Sequence, residues 1–257
     1  MAELFGLPFL TGLVLATLLP LVGAWLRLRD EWLAALAVAH LAGAGAVLAL
    51  SISLPALLGS LALAVTGMLG RHLPGAGNSA YAWLILVGWT VTLLVAANSP
   101  LGETLARQLI DGQLYFTGTE ELVAALVLLM AILGLRTRID RNELATRLLP
   151  ATTRIEQQQR RHTALLTDTL VAAALAAGTL SIGLMATFAL VFLPAWATFR
   201  KARNWRRALL GAVALGQLGY LVAFAAALKL DQPFAPILVA VLLGLATAAR
   251  LLPARAC

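Results

Sequence analysis

Long apolar runs separated by short polar segments recur along the whole sequence and limit what it can fold into. A helix needs about 20 apolar residues to cross the hydrocarbon core of a bilayer, with a range of roughly 17–25. Six of the runs reach this range, and the other three are shorter. The nine runs are 4–26, 32–52, 54–69, 80–97, 122–135, 163–177, 182–199, 205–228 and 234–251.

The composition places such a chain in a bilayer. It is 61% hydrophobic and 12% charged, whereas about a quarter of the residues in a soluble domain are charged. We therefore predict an all-α polytopic membrane protein with about nine transmembrane helices, forming one membrane domain over residues 1–257. The short link at 178–181 leaves an alternative open, in which a re-entrant or broken helix within 163–199 reduces the number of spans to eight.

The positions of the lysines and arginines predict the orientation, because cytoplasmic loops carry an excess of these residues. With the N-terminus outside and nine spans, only Arg107 and Lys229 fall outside and the C-terminus is cytoplasmic. The other basic residues gather inside, in short clusters between apolar runs. The formal charge of +7 therefore does not indicate a nucleic-acid partner.

The segment 136–162 is a basic, largely polar insert between two apolar runs. Within it, residues 140–149 predict a short helix that Asp140 caps, with Glu143 three residues on as in a capping box and Pro150 as the stop. A capped helix on the arginine-rich side suits a surface on which a cytoplasmic motor docks. The alternative is a solvated loop with an incidental helix.

A second polar stretch, residues 101–116, falls on the predicted outer side. Its leucines and isoleucine recur at helical spacing, and Gly112 is placed to end a helix. We predict a short amphipathic helix on the outer face, and the alternative is a partly ordered loop.

Two ionisable residues lie within apolar runs. His40 is about eight residues, or roughly 12 Å, into its run, where an ionisable side chain usually faces a cavity or a partner. It is either a metal contact on a pathway or a neutral histidine bonded to a carbonyl of the next helix. Asp168, near the start of its run, is predicted to interact with the helix dipole and with Arg160 or Arg161; the alternative is a role in the pathway.

The sequence carries no cluster that suits catalysis. It has no HExxH, CxxC or GxSxG motif and no phosphate-binding loop with a Walker lysine. The single cysteine is Cys257, so an internal disulfide is excluded. We predict that the chain is not an enzyme, and that any ATP-driven work requires a separate subunit.

Several short motifs occur in an order that resembles the zinc-uptake permease family, the membrane subunits of bacterial zinc and manganese ABC importers. A histidine motif reads AALAVAH and ends at His40, and an outer segment reads IDGQLYFTGTEEL. An acidic-Leu-Ala core is present as Glu143, Leu144 and Ala145. A late span carries Ile182, Gly183, Pro194 and Ala195 before the basic Arg200 and Lys201, and the last two spans are separated by Asp231 and Pro233.

This resemblance implies a homodimeric permease of the bacterial inner membrane, with a pathway at the dimer axis. It implies a cytoplasmic ATPase that holds the ATP, an outer substrate-binding protein, and zinc or manganese as cargo with no tightly bound cofactor. His40 would contact the metal, and the gate would involve Gly183, Thr187 and Pro194. Coupling to the ATPase would involve Asp140, Arg141, Glu143, Leu144, Ala145 and Arg147.

The chain departs from the family pattern at three positions. Leu36 stands where the family has an aspartate four residues before the histidine, Gln113 replaces an outer aspartate, and Leu149 replaces a glycine. The missing carboxylate leaves a metal chelate or another small solute as an alternative cargo. A membrane protein without a transport role is the remaining alternative.

Overall fold

The computed structural model describes residues 2–70, 78–112, 114–149 and 154–251. These residues contain ten α-helices and no β-strand. The helices are α1 Ala2–Arg29, α2 Trp32–Ser51, α3 Ala56–Leu69, α4 Asn78–Asn98, α5 Pro100–Asp111, α6 Thr119–Leu148, α7 Arg154–Ile182, α8 Leu184–Phe199, α9 Trp205–Leu230 and α10 Phe234–Leu251.

The all-α fold and the nine apolar runs are confirmed, since each run forms a helix. Seven of the described helices are long and apolar enough to cross a bilayer, and α3 and α8 are shorter apolar helices. The predicted amphipathic helix is also confirmed, as α5, and its place on the outer face stays a prediction. Ser99 caps it by accepting a hydrogen bond from the Gly102 amide (3.2 Å), and Gly112 ends it at a φ of +77°.

The described parts of the insert 136–162 are helical except for Leu149, and the prediction of a separate helix capped at Asp140 was wrong. Helix α6 runs unbroken through Asp140 to Leu148, and α7 already begins at Arg154. No glycine or proline interrupts 135–149, and its Arg, Leu, Glu and Ala residues favour helix. Helix α6 is therefore about 45 Å long, longer than the roughly 30 Å hydrocarbon core of a bilayer. We call the end of α6 from 136 and the start of α7 to 162 the basic hairpin; residues 150–153 lie outside the description.

Helices α7 and α8 are separate helices, but the break does not lie at 178–181. Those residues are helical, and the chain turns at Gly183, whose φ is +89°. Glycine adopts this left-handed backbone without the steric cost that a side chain adds. The start of α7 and the end of α8 both lie on the side of the bundle that carries most of the arginines, so the two helices run in opposite directions.

Helix α1 is the central helix of one half of the bundle and packs against α6, α7, α8 and α9. Gly23 allows its closest approach to α8, since a Cβ atom there would overlap the carbonyl group of Val191. Helix α2, which packs against α3, α4 and α7, is buried on nearly every side. Helices α4, α6 and α10 instead leave most of their residues at least partly exposed, a surface that suits lipid contact.

We predict that Gly23→Ala lowers stability while Gly134→Ala does not. The added methyl group at position 23 overlaps backbone of α8, and overpacking of this kind costs about 1–3 kcal/mol. Nothing lies within 4 Å of a Cβ atom at Gly134 in α6, where alanine gains up to about 1 kcal/mol of helix propensity. Apparent melting temperatures in detergent measure both effects. Equal melting temperatures for the two variants would contradict the close α1–α8 contact.

Candidate functional site

A buried arginine joins α1 to both arms of the basic hairpin. Arg29, at the end of α1, donates from Nε (2.8 Å) and from an Nη (2.5 Å) to the two carboxylate oxygens of Glu143 on α6. Its other Nη lies 2.5 Å from Asp168 on α7. All three side chains are almost completely buried, with 8%, 6% and 0% exposed. One guanidinium group therefore fastens three helices at a single point.

A second polar contact lies beside the first. The indole Nε1 of Trp25 donates to Asp140 over 2.8 Å, and Arg136 Nε lies 3.3 Å from the other oxygen of the same carboxylate. Trp25 is one helical turn before Arg29 on α1. Asp140 and Glu143, both predicted to take part in coupling, thus face α1 rather than the surface.

The remaining residues predicted to take part in coupling lie toward the surface. Arg141 and Arg147 are exposed, and Leu144 and Ala145 are half-buried. At the end of α6, Leu148 and Leu149 are 72% and 61% exposed. Two adjacent leucines are thus exposed among charged side chains at this end of the hairpin.

The predicted surroundings of Asp168 were wrong in two respects. Asp168 lies about four turns into α7, too far from the helix start for its dipole to act. Its carboxylate pairs with Arg29, whereas Arg160 donates to the carbonyl oxygen of Leu149 (2.8 Å) and closes the end of α6. Sequence reasoning did not foresee the contact with Arg29, because it placed Arg29 in the link after the first apolar run and Asp168 inside a later run.

His40 is buried in α2, with 8% of its surface exposed. Its Nδ1 lies 2.9 Å from the Leu36 carbonyl oxygen on its own helix, and not from a carbonyl of the next helix. Gly88 on α4 packs against it, since a Cβ atom there would lie 2.8 Å from the His40 carbonyl carbon. The described residues contain no group of three or more His, Cys, Asp and Glu that suits a metal ion. Among the described residues, His40 is therefore not part of a site with three or more protein ligands.

The residues predicted to form a gate lie along α8, and their role stays a prediction. A Cβ atom at Gly183 would be 3.0 Å from Cα of Gly112, so the turn between α7 and α8 touches the end of α5. Thr187 is fully buried against Gly178 of α7 and donates to the Gly183 carbonyl oxygen (2.8 Å). Pro194 is buried, and its carbonyl oxygen accepts from Thr198. The replaced aspartate position, Gln113, lies outside the described residues.

Sequence reasoning did not identify Arg29, Trp25 or Gly112 as site residues. The signal for Arg29 was present, since two carboxylates, Glu143 and Asp168, stand close to apolar runs and require a cation when they are buried. Nothing in the sequence shows which of the many arginines supplies it.

We predict that Arg29→Met strongly lowers stability. Two buried carboxylates would lose their cation, and breaking a buried ion pair from one side costs about 3–5 kcal/mol. The neutral triple variant Arg29→Met/Glu143→Gln/Asp168→Asn should recover most of that loss, because it buries no unpaired charge. Expression level and melting temperature in detergent measure the stability of both variants. A triple variant as unstable as the single one would contradict this account of the cluster.

Two solved structures share this fold. One, PsaBC from Streptococcus pneumoniae in complex with a Fab, matches with a TM-score of 0.81 at 13% identity over 96% of this chain and 91% of that chain. The other is an inward-facing conformation of a transporter assigned to the metal-chelate type of ABC transporter. It has a TM-score of 0.62 at 16% identity over 95% of this chain and 84% of that chain.

At the level of sequence, no curated protein matches this chain. The family model for the ABC 3 transport family, however, matches residues 1–252. The protein therefore belongs to the ABC 3 transport family and is a multi-pass membrane permease of the bacterial inner membrane.

Proposed function

We propose that this permease is the membrane subunit of an ABC importer for a divalent metal ion, zinc or manganese, driven by a separate cytoplasmic ATPase. The proposed coupling between the ATPase and the membrane helices rests on the contact of Arg29 with Glu143 and Asp168, which connects the basic hairpin to α1. The cargo is inferred from His40 and from the resemblance to zinc and manganese permeases.

The exposed end of the basic hairpin is the proposed docking site for the ATPase. Leu148, Leu149 and Arg141 are exposed there and would contact the partner. A displacement of the hairpin acts on α1, because Arg29 holds both arms through short charged hydrogen bonds. Helix α1 meets α8 where Gly23 packs on Val191, so the movement reaches the helix that follows the turn at Gly183.

A metal ion in transit is best held by few ligands. His40 supplies one imidazole per chain, and a second copy of the chain across a shared pathway would supply another. Stable zinc sites have three or four protein ligands, so a site with two histidines binds the ion weakly enough to release it. We propose that the permease works as a homodimer, with an outer binding protein that delivers the ion near α5.

A chelated metal is the second candidate cargo, and two observations favour it. Leu36 replaces the acidic residue expected four positions before His40. One of the two structural likenesses is to a transporter of the metal-chelate type. A chelate brings its own ligands, so its transport does not require a complete set from the protein.

We expect Leu148→Glu/Leu149→Glu to abolish co-purification of the ATPase encoded with this permease. Two carboxylates at the end of the hairpin would have to be desolvated in the complex. Leu230→Glu at the predicted outer end of α9 is the matched control, because Leu230 is 59% exposed, close to the 61% of Leu149. Retention of the ATPase by the hairpin variant would contradict the docking site; loss in both variants would point to a general defect.

The cargo is tested in proteoliposomes that contain the complete transporter and its binding protein. With free radiolabelled zinc or manganese, His40→Ala should reduce ATP-dependent uptake by about tenfold or more, the effect of losing roughly 1.4 kcal/mol of binding. His162→Ala, an exposed histidine on α7, should transport as the unmodified protein does. Transport of the chelate alone, with no effect of His40→Ala, would support the second candidate and exclude free ions.

A further inference from the structure

A cavity of about 600 Å³ opens between the ends of α1, α6, α8 and α10. Apart from Arg147, which is also predicted to take part in coupling, its lining residues have no part in the proposed function. Its charged lining consists of four arginines and one acidic residue, and an indole ring forms part of its wall. These residues are Arg27, Arg147, Arg200, Arg250, Asp30 and Trp196.

The positive charge in this cavity exceeds the negative charge. Asp30 is the only carboxylate among the described residues that line it, and it pairs with Arg27 over 3.2 Å. Arg250 stacks on Trp196, with its guanidinium carbon 3.7 Å from the ring centroid. The Nε of Arg250 is buried and has no hydrogen-bond acceptor in the described part of the chain. Like charges that converge in this way are stabilised by an anion between them.

The cavity lies at the level where apolar spans end. Arg27 is in the last turn of α1, Arg250 is in the last turn of α10, and Arg200 follows α8 directly. By the distribution of arginines, this is the cytoplasmic face. Trp196 is of a residue type enriched where a bilayer meets water. The phosphate groups of the inner leaflet lie at this depth.

Apolar surface continues from the cavity along α10. Leu243 lies seven residues before Arg250, on the same face of the helix, and is 50% exposed. A molecule with its phosphate among the arginines can thus lay its hydrocarbon chains along α10. An acidic side chain alone could pair with the arginines but would leave this apolar surface uncovered.

We propose that the cavity binds the phosphate headgroup of an anionic phospholipid of the inner leaflet, such as phosphatidylglycerol. Arginine suits this role because its planar fork of donors matches the geometry of phosphate oxygens. Basic pockets between membrane helices on the cytoplasmic side are recognised sites for anionic headgroups. The bound lipid bridges α6, through Arg147, to the ends of α8 and α10.

The test compares lipid binding to two detergent-purified variants by native mass spectrometry. Arg200→Gln/Arg250→Gln removes two cations from the cavity, whereas Arg206→Gln/Arg207→Gln removes two exposed cations from the start of α9, outside it. The probes are phosphatidylglycerol, phosphatidylcholine with the same acyl chains, and inorganic phosphate. We expect phosphatidylglycerol binding to fall on the order of tenfold or more in the cavity variant alone, with weak binding of the other two probes.

Three outcomes would overturn the proposal. Equal retention of phosphatidylglycerol by both variants would show that the cavity does not bind it. Equally tight binding of inorganic phosphate would make a free anion the ligand. A cavity variant that loses its ATPase but keeps the lipid would assign the cavity to the protein interface. If Arg200→Gln/Arg250→Gln does not fold, Arg147→Gln/Arg200→Gln gives the same comparison, since both of its arginines are exposed.

Discussion

The structure depends on a buried guanidinium group that neutralises two buried carboxylates at the point where three helices meet. Arg29 holds Glu143 and Asp168 together, and each group would be costly in this environment without the others. The same contact ties the polar ends of α6 and α7 to α1. Because the cluster is satisfied only when all three helices are in place, it selects one arrangement of the hairpin. A mechanical connection and a constraint on folding thus come from the same three side chains.

The second constraint is the close approach of helices at glycine. Gly23 brings the backbone of α1 against α8, and Gly88 brings α4 against the backbone at His40. In a bilayer, helices gain little from excluding water, so association depends on packing at short distance. Helix α1 thus contacts α8 at Gly23 and the hairpin at Arg29. In the proposed coupling, a movement of the hairpin would be transmitted along this route toward the turn at Gly183.

The regular features of the chain were predictable, and their exceptions have physical reasons. All nine apolar runs form helices, and Gly112 ends the outer helix as predicted. The predicted cap at Asp140 failed because no residue between the apolar run and Leu149 breaks a helix. A polar composition shows that a segment leaves the bilayer, but it does not show that the helix ends there. For the same reason Asp168 lies deep within α7 rather than at its start.

The sequence by itself determined that this is a helical membrane protein, with most of its arginines on one face and a lone histidine in its second span. These features are set for each segment separately, because the length and hydropathy of a segment decide whether it crosses the bilayer as a helix. Only the tertiary structure decided which charges meet. Arg29 and Asp168 are 139 residues apart in the chain, and any of several arginines had the charge to neutralise that carboxylate. The choice rests on how α1, α6 and α7 pack, and packing depends on the shapes of all three helices together.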